Sequence, residues 1–362
     1  MAELFLIPII STFDVHDVAV RDWLNKLDDD ALRSHLEEPY GLERFFPKNS
    51  RHALKCVDEV HDEVLRLLES IDPQAVFLDI SMDLVELENR YNKRMLSPSE
   101  FWEEYYQTGA CEQRSSRTLY CIYIKGIINR LMRLIENKEH LPLSIVFYGT
   151  DLKTREELVP VYEDAFDKDS EFVLQIAKEL NEIMNLRESP KNLWYSTMSK
   201  RQMSVSYEET EEFYTELLSR IKRLLKFKVR EHFVKNLRGN AMEFLSAHEK
   251  FLDNKMKEDN MKLSNILEGL NVLTSQSELK AVVILCQTMH YPLLLNSLKK
   301  EKRLQEMELS FSDIDITKLL NLMKPFTQKN RIMQSNYEIA LDITGRKKPQ
   351  RFAVPDAIIV PL

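Results

Sequence analysis

Glycine is scarce in this chain, with 7 in 362 residues. Phosphate-cradling loops, nucleophile elbows and the tight turns of β-rich enzymes all lean on glycine for positive φ or for close backbone approach. No Gly-x-Gly-x-x-Gly, Gly-Lys-Ser/Thr or Gly-x-Ser-x-Gly pattern occurs, which argues against nucleotide binding through a known loop and against an elbow-borne serine nucleophile. Cysteine is equally sparse. Cys56, Cys111, Cys121 and Cys286 form no Cys-x-x-Cys pair, so neither a disulfide framework nor structural zinc is expected, and a reducing, cytoplasmic setting fits. Long apolar runs are missing too, none approaching the roughly 20 residues that span a bilayer. The N-terminus carries Glu3 where a signal peptide needs a base, and Pro8 interrupts its short apolar run, so no membrane association is expected. Proline is absent between Lys191 and Tyr291, a stretch with only Gly239 and Gly269. Backbone so free of breakers predicts long helices.

What is present is a chain rich enough in apolar residues (44%) to build a core, with 30% charged residues. Its length exceeds what one core usually serves. The reading is a mainly α, multi-helix, two-lobed assembly with at most a small sheet formed by short strands near 4–10, 143–148 and 352–361. Leu4 to Ile10 is apolar and isoleucine-rich, with Pro8 suggesting an edge, and Leu143 to Tyr148 is closed by Gly149. The lobes are placed at 1–188 and 206–343, with a linker at 189–205 around Pro190 and a basic, apolar tail at 344–362. Charge separates along the chain: residues 1–200 hold 24 Lys/Arg against 37 Asp/Glu, and the rest 26 against 21. Such polarity suggests either an anionic partner for the second half or head-to-tail self-attraction.

Helical periodicity is clear over Ser50–Ile71, where Val57, Val60, Val64, Leu67 and Leu68 recur on one face, and helices are also read at 82–95, 114–139 and 170–186. The segment 150–166 reads as helix broken near Pro160. Ser97 and Glu100 make a capping box. A very long helical region is expected from Ser206 to about Asn260 with a kink at Gly239, followed by helices over 263–273, 278–289, 293–309 and 314–323.

The strongest charge feature is a basic helix. Arg220, Lys222, Arg223, Lys226, Lys228, Arg230, Lys235 and Arg238 face a single acid, Glu231, within residues 219–238. Lys222, Arg223, Lys226 and Arg230 share one face beside Phe227, a pattern that suits tracking a phosphate backbone. The plainer reading is a solvated or internally paired face, since Glu208, Glu209, Glu211, Glu212 and Glu216 precede it and complement the helix dipole.

Other constellations are sparser. Arg133 and His140 fall in the spacing range of the arginine–histidine pairs used by HEPN-type ribonucleases, which are helical and need no metal, although Leu134 stands where that pattern usually has a polar residue. His52, Cys56, Glu59 and Glu63 lie within about 60° on a helical wheel and are of metal-ligating type, but a single helix rarely supplies a whole site and no complementary pair presents itself. His61 falls in the apolar stripe and reads as a core histidine. Asp79 and Asp83 lie where a strand-borne nuclease carboxylate would sit, without the following Glu-x-Lys. The expectation from sequence is therefore a non-enzymatic subunit or adaptor without a cofactor. It would work by contact with a protein partner, or with nucleic acid through 220–238. A HEPN-like ribonuclease and a pure protein–protein scaffold are the alternatives.

Overall fold

The computed structural model describes residues 1–9, 48–93, 95–97, 100, 104, 144–184, 230–276 and 279–349. These residues divide into two compact units. One holds the described residues of Met1–Arg155 and Lys257–Met323, the other those of Glu156–Met256 and Lys324–Asp356.

The first unit is built on a five-stranded sheet. Its strands are β1 (Ala2–Ile9), β2 (Ala75–Ser81), β3 (Ser144–Gly149), β4 (Ala281–Gln287) and β5 (Leu309–Phe311). Their order across the sheet is β3-β2-β4-β1-β5, and every pairing is parallel. This overturns the expectation of at most a small sheet made by 4–10, 143–148 and 352–361. Strands β1 and β3 exist but are not neighbours, and 352–361 lies outside the described residues. Helices still carry most of the described chain: α1 (Lys48–Ile71), α2 (Val85–Asn92), α3 (Leu152–Met184), α4 (Arg230–Gln276), α5 (Tyr291–Lys300), α6 (Arg303–Glu306) and α7 (Thr317–Thr344).

Two central strands, β2 and β4, were not read as strands; 278–289 was expected to be helix. The physical reason is burial on both faces. Ala75–Ser81 and Ala281–Gln287 are buried at every position, so they show a continuous apolar run in place of the alternation that marks a half-exposed strand. Pro8 does not put β1 at an edge. Around it, Glu3 donates to Lys280 and Ile9 accepts from Thr288 on the β4 side, whereas Ala2 and Leu4 bond the β5 side. Pro8 thus faces the β5 side, beyond the end of the three-residue β5, where no ladder bond is lost.

One face of the sheet carries Ala2, Leu4, Leu6, Phe77, Tyr148, Val282, Ile284 and Cys286 packed with Ile266, Leu267 and Leu270 of α4 and Leu294 and Leu298 of α5. Helix α4 lies so close that a Cβ on Gly269 would meet the Phe77 ring at 2.8 Å and Val146 at 3.0 Å. The outer edge of β3 is covered by α2. Asn92 brackets Ile145, accepting its N–H (2.9 Å) and donating to its carbonyl (2.7 Å), and Glu88 accepts the N–H of Phe147 (2.6 Å). Side chains here stand in for a sixth strand.

In the second unit, α3 runs unbroken through Pro160 and α4 continues through Gly239. Its core stacks Phe172 on Phe244 (5.4 Å between centroids) and sets Tyr162 edge-on to Phe251 (5.0 Å). The buried Asn336 amide donates to Asp169 (2.8 Å).

Candidate functional site

The sheet forks at the carboxyl ends of its central strands. Pairing of β2 with β4 stops at Leu78↔Leu285. Strand β4 stays with β1 as far as Ile9↔Gln287, and β2 stays with β3 to Ser81↔Gly149, across a bulge between Leu78 and Ser81. The Tyr148 hydroxyl donates to the Leu285 carbonyl at the fork (2.8 Å). Topology gives the fork its meaning: the chain leaves β2 toward β3 on one side and leaves β4 toward β5 on the other. Open parallel sheets bind ligands at such a switch point, and bulges recur beside sites because they re-aim a side chain.

Helix α4 supplies the polar wall. Glu258, Asp259, Lys262, Ile266, Leu267 and Leu270 are all buried and recur at helical spacing on one side. The last three cover the apolar sheet face, and the charged three continue the same stripe to the carboxyl ends of the strands. Asp79 enters from the β2 bulge. Lys262 Nζ donates to Asp79 Oδ2 (2.8 Å) and to Glu258 Oε1 (2.9 Å). Arg155 Nη2, on the first turn of α3, donates to Asp79 Oδ1 (3.2 Å) and to the Asp79 carbonyl (3.0 Å). Gly149 makes this approach possible, since a Cβ there would meet Arg155 Nη2 at 2.5 Å and Asp79 Oδ1 at 2.8 Å. Asn265 closes the wall, its side-chain amide donating a hydrogen bond to the Tyr148 carbonyl (3.1 Å).

His290 completes the group. A tight turn follows β4, held by His290 N–H to the Gln287 carbonyl (2.9 Å) and Tyr291 N–H to the Thr288 carbonyl (3.3 Å). Pro292 then starts α5. The turn leaves His290 buried, its Nδ1 hydrogen-bonded to Asp259 Oδ1, with Nε2 3.7 Å from Glu258 Oε1. Burial would push the Asp79 carboxyl up, but Lys262 and Arg155 outweigh it and hold Asp79 below the usual carboxylate range. Burial would likewise push Lys262 down, and Asp79 and Glu258 reverse that, keeping the ammonium charged. Removing water from each such ion costs several kcal/mol by general reckoning, so six ionisable groups gathered here are expensive as mere fastening.

Chemically, a carboxylate on Nδ1 orients the imidazole so that Nε2 is the atom that gives or takes a proton. Glu258 Oε1 stands opposite it, beyond hydrogen-bond distance. The hydroxyl of Thr150, at the end of β3, is buried without a hydrogen-bond partner.

Of the residues singled out from sequence, Arg133, His140, Arg220, Lys222, Arg223 and Lys226 lie outside the described residues. Arg230 opens α4, and Arg238 is exposed further along it. His52 and Cys56 lie in α1 as expected. Glu59 is exposed, and Glu63 is buried with its carboxylate bound to Arg66 (2.5 Å) and Lys318 (2.6 Å). Among the described residues no group of three or more His, Cys, Asp or Glu is placed to hold a metal ion. No described helix is long and apolar enough to cross a membrane. His61 is buried, as its place in the stripe implied. Asp79 was noted from sequence, but Arg155, Glu258, Asp259, Lys262 and His290 were not. One signal was available: the apolar stripe at 266, 267 and 270 turns charged at 258, 259 and 262 without leaving its face. Compared with protein-family models, with curated proteins and with solved structures, the chain matches none significantly.

Proposed function

We infer that this protein is an α/β enzyme acting on a small polar ligand at the fork between β2 and β4, with His290 as general acid–base. The observation that carries the reading is the imidazole itself. Its Nδ1 is held by Asp259 and its Nε2 is turned toward Glu258 Oε1 at 3.7 Å, at the switch point of a parallel sheet. A positioned imidazole of this kind contributes about 10²–10⁴-fold to a proton-transfer step. Asp259 holds the tautomer, Glu258 is the second proton-carrying group, and Lys262 and Asp79 balance the charge. The sequence leaned away from an enzyme because no motif was present; a centre assembled from β2, α3, α4 and the turn after β4 needs none.

The test is untargeted. Wild type and His290→Asn are incubated with a mixture of small polar metabolites, and consumption is followed by mass spectrometry. The reading expects at least one compound turned over by wild type and at least about 100-fold more slowly by the folded variant. No difference across the mixture, together with no compound that raises the wild-type melting temperature, would overturn it.

A second reading is favoured by the exposure of Lys235 and Arg238 on α4: the cationic segment 220–238 contacts nucleic acid or an acidic protein, in a cytoplasmic setting. It concerns a different part of the chain from the fork and stands or falls separately.

A further inference from the structure

The geometry points to Asp79 and Lys262 as positioning residues for His290 that set the charge its Nε2 faces at Glu258; the inference rests on the acid–base reading above. Glu258 Oε1 receives the Lys262 ammonium at 2.9 Å and faces His290 Nε2 at 3.7 Å. Whatever the ammonium takes from that oxygen, the imidazole loses. Asp79 bears on the division, because the same ammonium also donates to Asp79 Oδ2 at 2.8 Å, and its charge also attracts the imidazole directly through space. With Asp79 charged, Lys262 is shared between two carboxylates, and Glu258 keeps more of its charge for the ring at Nε2. With Asp79 neutral, Lys262 is left to Glu258 alone and screens it from the ring. Asp79 is itself pinned on its other oxygen by Arg155 (3.2 Å), and its side chain has no solvent exposure while that of Arg155 is 24% exposed. Charge at the solvent-facing end is thereby passed inward, from Arg155 on α3 through Asp79 on β2 to Lys262 and Glu258 on α4, and so to His290. Asp259, bonded to Nδ1, faces the ring from the opposite nitrogen and orients it whatever the state of Asp79.

The readout is the imidazole, not turnover. The titration midpoint of His290 is followed by NMR on the full chain with labelled histidine, its signal identified among the eight histidines as the one lost in His290→Asn. Relative to wild type, Asp79→Asn lowers the midpoint and Lys262→Met raises it, each by about one unit, the scale on which a neighbouring charge acts. Lys318→Met, which breaks the remote pair with Glu63, leaves it in place. Should either single variant fail to fold because it strands a buried charge, Asp79→Asn/Lys262→Met removes the pair together. The relay then expects a raised midpoint, since the ammonium no longer competes for the Glu258 oxygen that faces Nε2, whereas a merely structural pair expects none. Unmoved midpoints in the folded variants overturn the relay and leave the acid–base reading standing. Moved midpoints without any turnover sustain the relay and count against the enzyme.

Discussion

His248 lies in the core of the second unit with neither ring nitrogen hydrogen-bonded. Its neighbours are aromatic: Tyr337 at 4.6 Å, Phe244 at 5.4 Å and Phe251 at 5.7 Å between centroids. Burial pushes its pKa down to about 3, and the charge of Lys348 adds to the effect. The unfolded chain binds this proton near pH 6.5 and the folded one does not. The stability tied to neutral His248 is therefore complete above about 6.5 and drains away as pH falls toward 3, at roughly 1.4 kcal/mol per pH unit. Replacing His248 with Phe should remove that component, so urea unfolding at pH 7 and pH 5 would differ less for the variant than for wild type. Equal losses in both would show that His248 does not govern acid sensitivity. At the same scale, Gly149 illustrates what sequence can hide. It reads as a strand terminator, but its decisive property is the absent Cβ that lets Arg155 reach Asp79.

Among the elements, α2 closes the outer edge of β3. The carboxyl of Glu88 is pushed up to about 7 by burial, even while it accepts the Phe147 N–H. A raised acid works in the opposite sense to His248. Its contribution is complete below about 4.5 and is lost as pH rises through about 7. Glu88→Gln keeps an acceptor for the strand without a charge, so the variant should gain on wild type by about 1–2 kcal/mol between pH 5 and pH 8. A constant difference across that range in thermal melts would refute the account. Helices were largely legible because 3.6-residue periodicity survives in sequence, as in α1 with Val60, Val64, Leu67 and Leu68. The capping box at Ser97 and Glu100 also forms, with both reciprocal bonds (2.7 and 3.2 Å). Strands buried on both faces lose their period, which is why β2 and β4 escaped notice.

At the scale of the whole molecule, the acidic first half and basic second half bear on partners more than on fold. If residues 220–238 contact nucleic acid, binding to labelled RNA or DNA should weaken steeply between 50 and 200 mM salt, as counterion release requires. It should also collapse in Lys222→Glu/Lys226→Glu/Arg230→Glu. Absence of binding at low salt by the folded wild type would remove that surface from consideration. The same experiment on His290→Asn should match wild type, since the fork belongs to the sheet and not to this segment.

The linear chain settles what depends on neighbours close in sequence: the presence of long helices, their stripes and caps, and the absence of loop-borne nucleotide motifs, but not that α3 and α4 run on through Pro160 and Gly239. It left undetermined whatever depends on distance. Asp79 and Lys262 are 183 residues apart and His290 and Asp259 are 31 apart, and no local pattern announces that their elements converge. Only the parallel ordering of the strands brings β2 beside β4, opens the fork where their connections diverge, and lays the charged end of the α4 stripe across it. The reason is physical: burial of an apolar helix face selects the packing, and the packing then decides which polar groups, otherwise unremarked in sequence, must neutralise one another in the dark of the core.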